Sequence, residues 1–218
     1  MRMRPKKNRA ARMEKVSYLF AKTDENGRVD IMETFKKDGV ASDKPLFLEI
    51  GCGKGAFVTE LSRQNPDADI IAAELVTDVL MLAMEKADRE NRTNIAFLNE
   101  NADRTDIFMP EKSTDRLYLN FSDPWPRKKN SKRRLTSPLF LEKYKKILKD
   151  GARIYFKTDN IGLFEYSLET LKEAGFTLEN ICYDLHSSEL SSNNIMTEYE
   201  NNFSSKGFKI NYLEAFFG

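Results

Sequence analysis

The sequence predicts an α/β fold in which a doubly wound, mainly parallel sheet of about seven strands ends in an antiparallel strand pair. Short apolar runs of strand length alternate along the chain with segments whose apolar residues recur at helical spacing. The first of these runs leads directly into a glycine-rich loop, which is typical of the first strand of such a sheet. At 218 residues, the chain is long enough for one domain with a large buried core.

Each element follows from its own local pattern. The predicted strands are apolar runs that end at glycine or polar residues, and the predicted helices carry one apolar stripe. The strands are expected at 46–50, 69–75, 94–98, 116–121, 152–157, 176–185 and 208–217. The helices are expected at 56–64, 76–91, 137–149 and 160–174. Thr77 or Asp78 is expected to cap the second helix, and the polar stretch 187–194 separates the last two strands.

Basic residues are concentrated in two stretches. Residues 1–12 hold six Lys or Arg and no acid, and residues 127–134 hold six more, again without an acid. The whole chain has 35 basic and 34 acidic residues, so the remainder is net negative. Two basic stretches on an acidic body indicate a polyanionic partner that is held at defined places. We predict a mobile basic arm at residues 1–12 within an N-terminal extension of residues 1–44, followed by the main domain at 45–218.

The few cysteine and histidine residues argue against several kinds of site. The sequence contains two cysteines, Cys52 and Cys182, and one histidine, His186. Their spacing is not that of a zinc site, so no metal is expected. The sequence has neither a signal-peptide pattern nor an apolar run long enough to cross a bilayer. These features predict a cytoplasmic protein with no membrane partner.

The loop after the first strand has the sequence Glu49-Ile50-Gly51-Cys52-Gly53-Lys54-Gly55. Its alternating glycines allow a sharp turn and the close approach of a ligand to the backbone. Glu74 ends the second strand, where a carboxylate accepts hydrogen bonds from the two ribose hydroxyls of an adenosine cofactor. A dinucleotide would fit this spacing as well. Glu49 argues against a dinucleotide, because a carboxylate disfavours a pyrophosphate and favours the ammonium group of S-adenosylmethionine.

A second motif leaves the fourth predicted strand. Asp123-Pro124-Trp125-Pro126 is a loop stiffened by two prolines, and the basic stretch 127–134 follows it directly. A phosphate backbone held by the basic stretch would bring a nucleic-acid base to this loop, where Trp125 could stack on it. Alternatively, Trp125 only covers the core and Asp123 only caps a turn. Further RNA contacts are expected from Lys128, Lys129, Lys132, Arg133 and Arg134.

Together these motifs resemble the bacterial tRNA (guanine-N7-)-methyltransferase family. The glycine loop is shared with many methyltransferases, whereas the Asp-Pro-Trp-Pro block with its basic continuation is specific. Two later blocks, Phe156-Lys157-Thr158-Asp159-Asn160 and Thr197-Glu198-Tyr199-Glu200, extend the resemblance to residue 200. The resemblance implies a Rossmann-like class I methyltransferase fold, S-adenosylmethionine as cofactor, tRNA as partner, and methyl transfer to N7 of a guanine in the variable loop.

The resemblance also implies roles for individual residues. Asp123 would be the catalytic-site acid and would also contact the cofactor. The chain departs from the family pattern at Asn101, where Asp is common, and at Arg127, where Lys is common. Asparagine still bonds an adenine edge, and arginine keeps the charge while changing the hydrogen-bond geometry. The implied cofactor residues are Glu49, Gly51, Gly53, Gly55, Glu74 and Asn101. The implied substrate residues are Arg127, Asp159, Thr197, Glu198, Tyr199 and Glu200.

The expected chemistry depends on positioning more than on proton transfer. Guanine N7 carries a lone pair and no proton, so it can attack a sulfonium methyl group without a general base. Asp123 would orient the guanine through its N–H edge and favour the positive charge that develops on the ring.

The sequence leaves alternatives open. An exocyclic-amine methyltransferase has an Asn-Pro-Pro-aromatic loop, which the segment 122–125 matches without the second proline. A cytosine-C5 methyltransferase needs a cysteine nucleophile at the exit of the fourth strand, and neither cysteine lies there. A dinucleotide oxidoreductase is opposed by Glu49 and by the basic stretch. A non-catalytic RNA-binding module is also left open, as is a homodimer.

Overall fold

The computed structural model describes residues 8–37, 39–204 and 207–217 of the chain. Its centre is one seven-stranded sheet. The strands are β1 (Leu46–Ile50), β2 (Asp69–Ala73), β3 (Ile95–Leu98), β4 (Thr114–Asn120), β5 (Leu148–Thr158), β6 (Thr177–Cys182) and β7 (Asn211–Phe216). They lie in the order β3-β2-β1-β4-β5-β7-β6, and only the pairs that include β7 are antiparallel. The predicted fold class is confirmed.

Helices cover both faces of the sheet. The described residues form α1 (Arg9–Val16), α2 (Ile31–Thr34), α3 (Ala56–Gln64), α4 (Thr77–Arg89), α5 (Thr105–Phe108), α6 (Pro138–Ile147), α7 (Ile161–Glu173) and α8 (Glu198–Ser204). Within the described ranges, no helix combines the length and apolar character that crossing a membrane requires.

The central strands are buried on both faces. Every residue of β1 and β2 is buried, because parallel strands with helices on either side have no solvent face. One apolar cluster fills the space between the sheet, α6 and α7, and a second fills the space between the sheet, α3 and α4. The carboxyl ends of β1, β2, β4 and β5 are thereby held at one edge, which is where a sheet of this topology binds ligands.

Most predicted elements are present, with shifted bounds in the second half of the chain. β5 begins at Leu148, inside the helix predicted at 137–149, because α6 ends at Ile147. The strand predicted at 176–185 ends at Cys182, since Leu185–Ser187 forms a short 3-10 helix. The short helices α1, α2, α5 and α8 were not predicted.

The predicted cap of α4 is wrong. Val76 precedes the helix and makes no side-chain capping bond. Thr77 instead donates its hydroxyl to Asn99 Oδ1 at 2.7 Å, and Asp78 lies 3.8 Å from Arg9 of α1. Both candidate caps are therefore engaged in tertiary contacts.

The part of the predicted basic arm that the structure describes lies in a helix, and its predicted mobility stays a prediction. Arg9 and Arg12 lie in α1, and Arg12 forms a two-fold hydrogen-bonded ion pair with Glu85 of α4 at 2.7 and 2.6 Å. Val16 at the end of α1 is buried against the α4 side of the sheet. Residues 1–7 of the predicted arm lie outside the described residues, and the predicted boundary at residue 44 stays a prediction.

Candidate active site

Two adjoining cavities lie at the carboxyl ends of β1, β2 and β4. The first has a volume of about 370 Å³ and the second about 270 Å³, and both are lined by Gly51, Asn120 and Phe121. The first extends towards α3 and the segment 197–199, and the second extends towards Glu74 and the loop after β4. The site is thus one branched cleft. Its two branches are called the first cavity and the second cavity below.

The glycine loop has the backbone that its sequence predicts. Gly51, Gly53 and Gly55 all adopt positive φ, at +80°, +56° and +80°, which residues with a side chain rarely tolerate. The loop is tied to the end of β2, because Gly53 donates its N–H to Glu74 Oε2 at 3.1 Å. Val76 N donates to the other carboxylate oxygen at 2.9 Å. Glu74 is therefore held with its carboxylate at the second cavity.

Glu49 is the buried acid of the first cavity. The residue is only 2% exposed, and its Oε1 accepts a hydrogen bond from Asn120 Nδ2 at 3.0 Å. Its second oxygen, Oε2, is buried and has no hydrogen-bond partner. Burial raises the pKa of Glu49 to about 7, although Asn120 and the nearby Lys157 ammonium act in the opposite direction. The arrangement suits a ligand that brings a cationic N–H donor.

Asn101 and Asp123 both line the second cavity. Asn101 precedes the short 3-10 helix Ala102–Arg104, and its Oδ1 accepts a hydrogen bond from Asp103 N at 3.0 Å. The neighbouring Asp103 does not line either cavity. Asp123 is exposed at the cavity mouth, in the loop that leaves β4.

The loop after β4 is rigid and strained. Phe121 and Trp125 adopt positive φ, at +52° and +40°, which is unusual for bulky residues. Arg134 holds the loop, because its guanidinium donates to the carbonyl oxygens of Pro124 and Trp125 at 3.0 and 3.2 Å. The guanidinium of Arg133 lies 4.6 Å from the centre of the Trp125 ring. Arg134 therefore braces this loop, and its predicted RNA contact stays a prediction.

The remaining basic residues lie on the surface beside the second cavity. Lys128–Arg133 forms a 3-10 helix that Arg127 precedes. Arg127, Lys128, Lys129 and Lys132 are exposed. Their predicted contacts with substrate and RNA stay predictions.

The motif Thr197-Glu198-Tyr199-Glu200 is the start of α8. Glu200 N donates to Thr197 Oγ1 at 2.9 Å, and Thr197 N lies 3.3 Å from its acceptor, Glu200 Oε2. These reciprocal bonds are a capping box. Thr197, Glu198 and Tyr199 line the first cavity, whereas Glu200 is 0% exposed. Glu200 is thus buried within the capping box, and its predicted substrate contact stays a prediction.

The other predicted residues of this region meet at the rim. Tyr199 donates its hydroxyl to Asp159 Oδ2 at 3.2 Å, and its ring centre lies 5.1 Å from that of Phe121. Glu198 lies 3.3 Å from Lys54 of the glycine loop. Asp159 therefore touches the residues around the first cavity without lining it.

The family comparison is consistent with this geometry. A family model described as "Putative methyltransferase" matches residues 43–213, well over half of the chain. The chain belongs to this methyltransferase family.

Solved methyltransferases share the fold. The 16S rRNA methyltransferase KamB has a TM-score of 0.62 at 16% identity, over 81% of this chain and 89% of that one. A SAM-dependent methyltransferase from Aquifex aeolicus has a TM-score of 0.56 at 14% identity, over 96% and 98%. Phosphoethanolamine N-methyltransferase 2 from Haemonchus contortus, in complex with S-adenosyl-L-methionine, has a TM-score of 0.52 at 13% identity, over 85% and 51%. These similarities confirm the class I methyltransferase fold.

The methyltransferase site contains residues that the sequence did not single out. Asn120 bonds Glu49 and lines both cavities, and Phe121 separates them. Lys157 is 4% exposed and carries a buried positive charge behind the first cavity. The signal for Asn120 was its place at the end of the fourth predicted strand, next to the Asp-Pro-Trp-Pro block.

Cysteine chemistry does not fit this methyltransferase. Cys52 lines the first cavity, but burial raises the pKa of its thiol well above the ordinary range. A buried neutral thiol is a poor nucleophile. Among the residues that the structure describes, no group of three or more His, Cys, Asp or Glu side chains is arranged to hold a metal ion.

Proposed function

We propose that this methyltransferase uses S-adenosylmethionine to methylate N7 of a guanine in tRNA. The observation that carries the proposal is the composition of the second cavity. Its lining includes Glu74 and Asn101 together with Asp123 and Trp125. A cofactor and an acceptor base would meet there, beside a rigid loop that continues into a basic surface.

The fit of the cofactor rests on unsatisfied acceptors. The buried, partnerless Oε2 of Glu49 offers a site for the α-ammonium group of S-adenosylmethionine. Each oxygen of Glu74 accepts one backbone N–H and retains a lone pair for a ribose hydroxyl. Asn101 would bond the adenine edge. When bound, the cofactor supplies an electrophilic methyl group on a sulfonium sulfur.

The loop after β4 would position the acceptor base. Asp123 would accept hydrogen bonds from the N–H edge of guanine, and its negative charge would favour the cationic product ring. The guanidinium of Arg133 covers one face of Trp125, so a base would stack on the other face or replace the guanidinium. Because N7 has no proton to lose, alignment of the lone pair with the methyl group supplies most of the rate enhancement.

The basic surface would hold the RNA backbone. Arg127, Lys128, Lys129 and Lys132 are exposed within a few residues of Asp123. Contacts to phosphates fix the register of an RNA without reading its sequence, which leaves the choice of base to the cavity.

Methylation of transcribed RNA tests the proposal. The chain would be incubated with radiolabelled S-adenosylmethionine and either unmodified tRNA or ribosomal RNA made in vitro, and the digested nucleosides separated by chromatography. We expect label in 7-methylguanosine from tRNA. Label in an exocyclic amine would favour the alternative methyltransferase class. Label confined to ribosomal RNA would mean that ribosomal RNA, and not tRNA, is the substrate. RNA binding without any label would favour a non-catalytic module.

A further inference from the structure

The segment 193–199 has open space on both sides. Thr197, Glu198 and Tyr199 line the first cavity. On the other side, the residues 193–195 line a third cavity of about 530 Å³, between α3 and the strands β4, β5 and β7. Ile195 packs against the apolar cluster of α3 and α4, and the Tyr199 ring contacts Phe121, while the cavities on both sides leave the rest of the segment to polar contacts. The position of the segment sets one side of the first cavity.

A buried ammonium group supplies polar contacts that hold the segment. Lys157 lies near the end of β5, and its Nζ donates to Glu200 Oε2 at 2.8 Å, to Ile195 O at 2.8 Å and to Asn194 Oδ1 at 3.0 Å. All three N–H donors are thus used on one segment. Asn194 completes the arrangement by donating its Nδ2 to Glu200 Oε1 at 2.6 Å, and His186 Nε2 lies 3.1 Å from the same oxygen.

The contact at the rim is weaker. Lys54 and Glu198 form an ion pair across the mouth of the first cavity, but both side chains are about half exposed. Exposed ion pairs contribute little because water and salt screen them. Tyr199 also donates to Asp159, next to the end of β5, but that hydrogen bond is exposed as well. The three hydrogen bonds of Lys157 are therefore the buried polar link between the sheet and the segment.

We propose that Lys157 is a positioning residue that holds the segment 194–200 as the wall of the cofactor cavity, through Glu200, Asn194 and Ile195. Lys157 does not line the first cavity and has no N–H left for a phosphate. Its effect on the cofactor is indirect: it sets where Thr197 and Tyr199 stand. The proposal rests on the proposed function, since it takes the amino-acid end of S-adenosylmethionine, beside Glu49, as the occupant of the first cavity.

A double variant separates positioning from stability. Lys157→Met and Glu200→Gln each leave a buried charge without its partner, so both single variants should lose stability. The double variant removes both charges at similar volume, and glutamine at position 200 still serves in a capping box. We expect the double variant to regain much of the thermal stability that the single variants lose, with a remaining deficit because Ile195 O and Asn194 Oδ1 no longer have a donor. It should nevertheless bind S-adenosylhomocysteine at least ten-fold more weakly by calorimetry.

A milder pair of variants covers the case in which the double variant does not fold. Asn194→Ala removes two bonds of the arrangement, whereas Asn193→Ala changes the neighbouring exposed residue that lines the third cavity. We expect a several-fold loss of S-adenosylhomocysteine affinity in the first and none in the second. Lys143→Met, which breaks an ion pair with Asp106 outside the site, controls for the loss of a salt bridge alone.

The outcomes distinguish this inference from the proposed function. If the wild-type chain does not bind S-adenosylhomocysteine, the cofactor proposal fails, and this inference fails with it. If the wild-type chain binds, while the double variant and Asn194→Ala bind equally well, Lys157 is only structural and the inference is overturned.

Discussion

The carboxyl group of Glu49 is costly to bury, and the proposed cofactor would remove that cost. Burial raises its pKa from an ordinary 4.5 to about 7, and the hydrogen bond from Asn120 opposes this only in part. A carboxylate in a buried site without a second partner is poorly solvated. The ammonium group of S-adenosylmethionine would supply that partner and hold the carboxylate ionised.

We expect Glu49→Gln to weaken cofactor binding about 10- to 100-fold, because a charged hydrogen bond contributes about 1.5–3 kcal/mol. The wild-type affinity should rise between about pH 5.5 and 7.5 as the carboxylate forms, while the variant should change little. The cofactor's own α-amino group stays mostly protonated in this range, with a pKa of about 7.7–8.0. Calorimetric titration at several pH values measures both effects. If the wild-type affinity does not change with pH, Glu49 does not bind the ammonium group.

The stability of the cofactor-free chain should fall as the pH rises, whereas the affinity for the cofactor should rise. The folded pKa of Glu49 is raised, so its contribution to stability is fully present below about pH 4.5 and is lost as the pH rises through about 7. At about 1.4 kcal/mol for each pKa unit, the loss is on the order of 3 kcal/mol. Glu49→Gln should therefore melt above the wild type at about pH 8, with the gap closing towards pH 5. Thermal unfolding of both chains across this range measures the gap.

Asp123 is exposed at the second cavity, so its substitution should spare the fold. We expect Asp123→Asn to lower the single-turnover methylation rate on the order of a hundredfold, since it removes the charge that favours the cationic base. Affinities for cofactor and tRNA should change little. Asp103→Asn, within the 3-10 helix that follows Asn101 and outside both cavities, is the matched control. A near wild-type rate for Asp123→Asn would mean that Asp123 only caps a turn and has no role in catalysis.

At the level of the elements, the start of α8 shows how one motif supports two interpretations. By resemblance, Thr197-Glu198-Tyr199-Glu200 contacts substrate, yet the same spacing of Thr and Glu is the signature of a capping box. The sequence predicted no helix there, because the residues after 200 carry no apolar stripe. The box faces the first cavity with one side and the buried Lys157 with the other. Local helix chemistry thus shapes the turn that carries the three cavity-lining residues, and the hydrogen bond from Lys157 connects that turn to the sheet.

Elements with a strong local pattern could be predicted, and those that depend on distant contacts could not. β1 and α3 have the bounds that their apolar residues indicate. In contrast, α1 looks like a basic arm in the sequence, and its position depends on the ion pair of Arg12 with Glu85, 73 residues away. The acceptors of Lys157 are 37 to 43 residues distant. No local pattern reports a partner at that separation.

The contact between the glycine loop and α4 gives a test at this scale. A Cβ on Gly55 would lie 2.8 Å from the Cβ of Ala83, whereas a Cβ on Gly51 would meet nothing within 4 Å. Both glycines have positive φ, so alanine at either costs about 1–2 kcal/mol of backbone strain. We expect Gly55→Ala to lose about 1–3 kcal/mol more than Gly51→Ala, because the loop or α4 must also move. Denaturant unfolding measures the difference in the free energy of unfolding. Equal losses would mean that the loop or α4 shifts at no cost to make room for the Cβ.

Across the whole molecule, the two basic stretches differ in how their charges are used. Arg12 pairs with Glu85, and Arg9 lies near Asp78, so the described part of the first stretch is largely neutralised by α4. In the second stretch, Arg134 braces the loop after β4, while the lysines at 128–132 are exposed. Because the net charge of the chain is only +1, attraction of the proposed RNA substrate would depend on this local concentration.

We expect the salt dependence of tRNA binding to arise mainly from these lysines. Replacing Lys128, Lys129 and Lys132 together by Gln should reduce the slope of log affinity against log salt by about 0.7–0.9 for each phosphate that is no longer neutralised, to a total of about 2–3. The affinity for S-adenosylhomocysteine should stay at the wild-type value, because none of the three lysines lines a cavity. Filter binding of tRNA at a series of salt concentrations measures the slope.

The control for this experiment is a second triple variant with the same change in net charge. Lys36, Lys112 and Lys145 lie outside both cavities, and each pairs with an acid on its own part of the surface. Replacing these three by Gln should leave the slope almost unchanged, since release of counterions requires contact with phosphates and not net charge alone. If both triple variants flatten the slope equally, the attraction is a general property of the surface. The stretch 127–134 would then not be the face that the RNA contacts.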